Sequence, residues 1–307
     1  MCRDSVAASS DAQQHSLTAL APAKINLFLH VVGRRGDGYH LLESLVAFAS
    51  IGDEITVASG DGRNSATTLE VSGRFAGMID GNPADNLVVR AASALREATG
   101  QNSDVSIRLK KNLPVAAGIG GGSADAAATL MALNDLWALN KSTDELAELG
   151  LSLGADVPAC LYRTPVMMRG IGEQLSVVPA PAGMGVVLVN PLQLMPTPAV
   201  FADFRAYEPF AAAGQFDANA MSNPEDWCAR LRTCTNSLEP PAGRLLPGIG
   251  RIVGSLDALP DCRLARMSGS GATCFGLFDS WDAAARNADR ISVAHPGWWV
   301  APGRILT

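Results

Sequence analysis

No two of the six cysteines, at 2, 160, 228, 234, 262 and 274, form a Cys-x-x-Cys pair. That absence argues against a zinc site and a disulfide framework, and a reducing compartment is the natural reading. Basic charge is also scarce: 24 Lys plus Arg against 30 Asp plus Glu leaves a net charge of −6. A general nucleic-acid binder would carry a basic footprint, so an anionic ligand must be held here by a local site. No apolar run is long enough to span a membrane. The longest uncharged stretch, 174–202, contains five prolines, and its compact apolar part, 186–189, reads as a buried strand. Residues 1–16 lack the apolar stretch of a signal peptide and the arginines of a transit peptide, and read as a frayed tail. A soluble, cytoplasmic protein is expected.

What is present is enough for a folded core. With 48% apolar and 18% charged residues, disorder across the 307 residues is excluded, and the length suits about two domains. Strand patterns at 25–32, 53–59, 67–72 and 104–109 are interspersed with helical ones at 85–99, 123–139 and 143–153. Asp85 is expected to cap the first helix and Gly100 to end it. Beyond a boundary near 160–170, strands are expected at 166–169, 186–189, 263–267 and 273–278, and helices near 198–206, 249–259 and 280–291. The mixed order predicts an α+β fold. The stretch 207–248 shows no clear periodicity.

The strongest chemical signal is Leu113-Pro114-Val115-Ala116-Ala117-Gly118-Ile119-Gly120-Gly121-Gly122-Ser123-Ala124-Asp125, four glycines in five positions ahead of an alanine-rich helix. Glycines permit positive φ, expected at Gly121 among others, and let a ligand approach the backbone N–H groups. A helix N-terminus adds free donors and partial positive charge, so the segment reads as an anion cradle. No lysine follows the glycines, which excludes a P-loop, and Ser123 stands where a dinucleotide-binding turn has its third glycine. Lys24 lies in an apolar segment, where it either snorkels to the surface or meets an anion. Asp156, between Ala155 and Val157-Pro158, is either a helix-end cap or a carboxylate with a chemical task.

The glycine segment resembles the phosphate-binding motif of the GHMP kinase superfamily. Two more segments make the resemblance specific. One is Ala21-Pro22-Ala23-Lys24-Ile25-Asn26-Leu27, followed by Arg35-Gly36-Asp37-Gly38-Tyr39-His40; the other is Ser268-Gly269-Ser270-Gly271-Ala272-Thr273. Gly154-Ala155-Asp156-Val157-Pro158 and Gly170-Ile171-Gly172-Glu173 are similar to family segments too. The resemblance runs from about 20 to 305 and is weak in 205–250.

It implies a two-domain GHMP kinase fold with the active site in the cleft between domains: 17–164 an ATP-binding domain and 165–307 a C-terminal one. It implies ATP and Mg²⁺, with Lys24 and Asp156 as the catalytic pair and Asp156 as the base. Pro114, Ala117, Gly118, Gly120, Gly121, Gly122 and Ser123 would hold the nucleotide phosphates, with Asn86 and Lys111 near the adenine. Within the family, the Tyr39-His40 segment points to a cytidine diphosphate-linked methylerythritol as acceptor. Tyr39 would stack on the cytosine, His40 would read its edge, and Asn26 would meet the polyol hydroxyls, with Thr197 a further binding residue. Rival readings are a homoserine or mevalonate kinase, against which Gly38-Tyr39-His40 speaks, and a nucleotide-binding regulator, against which Lys24 with Asp156 speaks. Asp125 is read as structural and not as the base, and His15 and His295 as surface residues; His30, on the strand face of Phe28 and Asn26, is left open with a lean to structural. No nucleic-acid or membrane partner is expected, and the chain is expected to be a monomer or weak homodimer.

Overall fold

The computed structural model describes residues 16–307 apart from 61, 63–65, 80, 215 and 217–222. The expected tail and His15 lie outside the described residues, except that Ser16 already opens the first strand.

One long hairpin organises the first half. β1 (Ser16–Arg34) and β2 (His40–Ser59) pair antiparallel from Ser16↔Ala58 to Arg34↔His40. The other edge of β2 is shared. Its C-terminal part pairs with β4 (Val105–Lys110) and its N-terminal part with β5 (Val166–Gly170). β3 (Thr67–Ser72) extends the sheet beyond β4 and β6 (Gln174–Val177) beyond β5. The first sheet therefore continues past 165, where the second domain was expected to begin, to Val177. Two shifts of register, between Pro22 and Lys24 and between Asn26 and Phe28, bracket the segment of interest in β1. Such irregularities re-aim side chains out of the regular pleat.

Four helices accompany this sheet: α1 (Leu87–Thr99), α2 (Gly121–Leu136), α3 (Thr143–Leu151) and α4 (Val157–Tyr162). α2 buries Ala124, Ala126, Ala127, Ala128 and Ala132 and packs on β1 and β2. Its small side chains let the helix backbone lie close to the hairpin, which brings its N-terminus beside Lys24. α1 is capped by Asn86, whose Oδ1 accepts from the Val88 N–H at 3.0 Å; Asp85 belongs to a preceding short turn of helix.

The second sheet is antiparallel, in the order β10 (Trp299–Arg304), β7 (Gly185–Asn190), β9 (Cys274–Phe278), β8 (Leu264–Met267). Its helices are α5 (Thr197–Tyr207), α6 (Pro224–Arg232), α7 (Glu239–Leu245), α8 (Gly248–Asp257) and α9 (Trp281–Ala294), with α8 and α9 packed on the strands. The second half is tied to β1 by backbone hydrogen bonds from Leu29 N–H to Thr235 O and from Ser237 N–H to Leu29 O. Among the described residues, no helix is long and apolar enough to cross a membrane.

Candidate active site

The glycine loop is shaped by a second loop pressed against it. Gly118 and Gly120 have φ of 73° and 62°, whereas Gly121 is the first residue of α2 and needs no positive φ, contrary to the expectation for it. A Cβ on Gly118 would lie 2.5 Å from the Gly271 carbonyl oxygen, so the 268–271 loop approaches the cradle backbone to backbone. Ser268 ties the pieces together: its Oγ accepts from the Asn26 N–H at 3.1 Å and donates to the Gly118 carbonyl at 3.2 Å. No side chain caps α2. The first N–H groups of a helix lack internal acceptors. Here they open on a cavity of about 360 Å³ lined by Lys24, Asn26, Gly120, Gly121, Ser123 and Asp156 among others, with Ala117 and Gly122 also in its wall.

Lys24 is 5% exposed, and its Nζ donates to Asp156 Oδ1 at 2.8 Å across 132 residues of sequence. Asp156 precedes α4 but makes no capping hydrogen bond, so the helix-cap reading fails. Its side chain remains 38% exposed, on the rim where two cavities meet. The backbone N–H of Lys24 donates to the Ile119 carbonyl at 3.0 Å, which fastens β1 to the glycine loop.

The second cavity, of about 640 Å³, is lined by Tyr39, His40, Ile171, Pro198 and Phe201, and it shares Ser123, Asp156 and Thr197 with the first. Tyr39 is 63% exposed. The His40 ring stacks on Phe201 at 4.8 Å, and its buried Nε2 meets no partner among the described residues. Burial, then the charges of Arg205 and Arg34, lower the His40 pKa, so the ring is neutral near pH 7. Asn26 is 1% exposed, with its Oδ1 unpartnered. Thr197 Oγ1 lies 2.7 Å from Ser270 Oγ. Phe201 was not read from the sequence, although it stands one helical turn after Thr197 on the same face of α5. His30 Nε2 accepts from the Thr235 N–H at 3.2 Å, which ties β1 to the second half. His295 stacks on Trp298.

A third, smaller cavity of about 170 Å³ adjoins the cradle and shares no wall residue with the Tyr39 cavity; it is lined by Asn86, Lys111, Pro114, Gly121, Gly122 and Asp125 among others. Lys111 and Lys110 do not form a solvated pair. Lys110 is exposed on Glu54, while Lys111 Nζ is buried between Asp53 Oδ2 at 2.5 Å and Asp125 Oδ2 at 2.6 Å. Asp53 also accepts from the Asn112 and Leu113 N–H groups, which fixes the entry to the glycine loop. Burial drives the Lys111 pKa down, but the attraction of Asp125 and Asp53 outweighs it and leaves it raised. Burial pushes the Asp125 carboxyl up to about 7, opposed by Lys111 and reinforced by the like charge of Asp53. Asp125 lines this cavity and not that of Tyr39.

Among the described residues, no group of three or more His, Cys, Asp or Glu could hold a metal. The carboxylates beside the cradle, Asp125 and Asp156, are each engaged by a lysine. The first cavity shares wall residues with each of the other two, and Asp156 of the Lys24–Asp156 pair lines both the first and the second.

The comparisons agree with that geometry. The model for the GHMP kinases N terminal domain matches residues 86–164, and the one for GHMP kinases C terminal matches 212–293. The chain belongs to the GHMP kinases. It is 46% identical to a 4-diphosphocytidyl-2-C-methyl-D-erythritol kinase of Paramagnetospirillum magneticum, over 95% of this chain and 99% of that one. It is 47% identical to the protein of that name in Rhizobium meliloti, over 94% and 95%. The crystal structure of a 4-(cytidine 5'-diphospho)-2C-methyl-D-erythritol kinase superposes with a TM-score of 0.77 at 36% identity, covering 95% of this chain and all of that one.

Proposed function

We propose that this chain transfers the γ-phosphoryl group of ATP to the 2-hydroxyl of 4-diphosphocytidyl-2-C-methyl-D-erythritol, giving the 2-phosphate and ADP. The reaction is a step of non-mevalonate isoprenoid precursor biosynthesis. The observation that carries this reading is the place of the Lys24–Asp156 pair. Asp156 and Ser123 line both the cavity of the glycine loop and the cavity of Tyr39 and His40. A triphosphate on the N-terminus of α2 and an alcohol entering from the Tyr39 side would meet there.

In this reading the backbone N–H groups of 120–123 hold the phosphates, Asn86 and Lys111 lie toward the adenine, and magnesium accompanies the phosphates and offsets their charge. Asp156 accepts the proton of the attacking hydroxyl. A carboxylate is a weak base for an alcohol, but a loose transition state leaves proton transfer late. Lys24 holds that carboxylate in place and sets a positive charge beside the oxygen as it becomes an alkoxide. Tyr39 and Phe201 offer aromatic faces for the cytosine, with the neutral His40 ring as a polar edge. Thr197 and Asn26 lie toward the polyol.

The test is a radiolabelled-ATP assay against the cytidine-linked polyol, homoserine and mevalonate, run with wild type and Asp156→Asn. Wild type should phosphorylate the cytidine-linked alcohol alone. Asp156→Asn should keep both KM values and lose about 10²-fold or more in kcat. Preference for another alcohol, or an unchanged kcat in the variant, would overturn the substrate or the base assignment respectively.

A further inference from the structure

Asn26 stands in the wall of the 360 Å³ cavity, and a neighbouring serine decides which end of its amide is left unpaired there. Ser44 is fully buried, with its Oγ 2.5 Å from the Phe28 carbonyl oxygen and 2.9 Å from the Asn26 side-chain nitrogen. A serine hydroxyl has one proton, and a carbonyl oxygen can only accept. That proton therefore goes to Phe28, and Ser44 is left with lone pairs toward Asn26. Only the amide NH₂ can satisfy them. The reverse orientation would set two oxygens against each other with no proton between them. The carbonyl end, Oδ1, is thus the end turned away from Ser44; it is buried and, among the described residues, without a partner, beside Gly269 in the cavity wall. The Asn26 main chain is held by the same logic through Ser268.

We infer that Ser44 is a positioning residue that locks Asn26 as a hydrogen-bond acceptor, so that the acceptor alcohol is selected there for a hydroxyl that donates. This rests on the phosphoryl-transfer reading above. A polyol with a free non-reacting hydroxyl at that point pairs with Oδ1. An ether at the same place brings only lone pairs and leaves the buried amide oxygen unsatisfied. Sites built around a buried polar partner discriminate strongly against analogues that cannot pair.

The experiment uses the full chain, the cytidine-linked polyol, and its mono-O-methyl ethers at each non-reacting hydroxyl in turn. For one ether, wild type should lose roughly 10- to 100-fold in kcat/KM, with KM for ATP unmoved. In Ser44→Ala the amide is free to turn its NH₂ toward the ether oxygen. The discrimination should then shrink to within about threefold, whatever happens to the absolute rate. Ser44→Thr keeps the hydroxyl relay and should keep the discrimination. A purely structural Ser44 would lower activity on both alcohols alike, so an unchanged ratio in Ser44→Ala overturns the inference. So does a folded Ser44→Thr variant that has lost discrimination, which decides the matter if Ser44→Ala does not fold. Wild-type enzyme that accepts all the ethers equally well would also overturn it. Absence of any turnover of the free polyol would instead strike at the kinase reading itself.

Discussion

Lys24 and Lys111, two of the chain's four lysines, are both buried, and each meets carboxylates on residues distant in sequence. Their surroundings differ in stoichiometry. Lys24 has one carboxylate, that of Asp156, which stays 38% exposed at the cleft. Lys111 has two, both buried, so the cluster carries one negative charge too many for its low-dielectric surroundings. Asp53 is anchored by two backbone N–H groups as well as by the lysine, whereas Asp125 Oδ1 has no partner. The surplus proton therefore belongs on Asp125, in keeping with a pKa raised to about 7 from an ordinary value near 4. In the unfolded chain Asp125 ionises near pH 4; in the folded chain it holds its proton to about 7. Stability from this group is thus unaffected below roughly pH 4 and falls as pH rises from roughly 4 to 7. Asp125→Asn cannot ionise and keeps an oxygen for Lys111. The melting temperature of the variant minus that of wild type should grow from pH 5 to pH 8. A difference that stays flat with pH would show that Asp125 is charged throughout.

Element by element, the glycine loop is where space and backbone conformation must be separated. Gly118 requires both, since its φ is 73° and its Cβ would strike the Gly271 carbonyl. Gly122 requires neither: it lies inside α2, and its Cβ would meet Leu87 Cδ1 at an ordinary 3.5 Å. Gly118→Ala should cost more than about 2 kcal/mol in a denaturant melt and abolish ATP binding by calorimetry. Gly122→Ala should be neutral or stabilising by up to about 1 kcal/mol. Equal losses in the two variants would mean that the 268–271 loop does not press on the cradle. The same split between local pattern and surroundings decided which elements the sequence revealed. β3 matches its expected 67–72, because its side chains alternate between half-buried and exposed. β2 was seen only at 53–59, because Leu45, Val46, Ala47, Phe48 and Ala49 are all buried: Val46 and Phe48 point into the core under α2, the others into the core shared with the second sheet. A strand buried on both faces shows no alternation. α7 escaped because Pro240, Pro241 and Gly243 argue against helix locally, while burial of Pro241 and Ala242 holds the turn in place. Within the site, Lys24, Asp156 and the glycine loop stood out as chemistry in unexpected company. Ser44, Asp53 and Phe201 act through partners far away in sequence, which no local pattern announces.

At the scale of the whole molecule, the cleft exists only while the second half grips β1, and much of that grip comes from the stretch that was least readable. Arg266, on β8, is 7% exposed and donates to three backbone carbonyls: Leu27 O at 2.6 Å, Cys234 O at 2.6 Å and Leu231 O at 3.1 Å. Leu27 adjoins Asn26, while Leu231 and Cys234 lie at the end of α6. Asn236 adds bonds to the carbonyls of Met267 and Gly269. One guanidinium thus joins the strand that carries Lys24 to the segment 231–234 and to the strand that leads into the 268–271 loop. Its planar fork of five donors suits three diverging acceptors, and an ammonium does not. Burial lowers the Arg266 pKa, yet a guanidinium stays charged at any ordinary pH. Arg266→Met preserves length and apolar volume but leaves three inward carbonyls unpaired. At about 1–3 kcal/mol for each buried group, eased where water can enter, the loss should be about 3 kcal/mol or more. That corresponds to a fall of roughly 5–10 °C in melting temperature. Arg266→Lys should recover only part of it. Because the clamp holds β1 against the 268–271 loop and does not touch the small cavity at Asn86, the surviving folded enzyme should show a raised KM for the alcohol before any change in KM for ATP. A wild-type melting temperature in Arg266→Met would mean that the Arg266 bonds contribute nothing to holding the halves together.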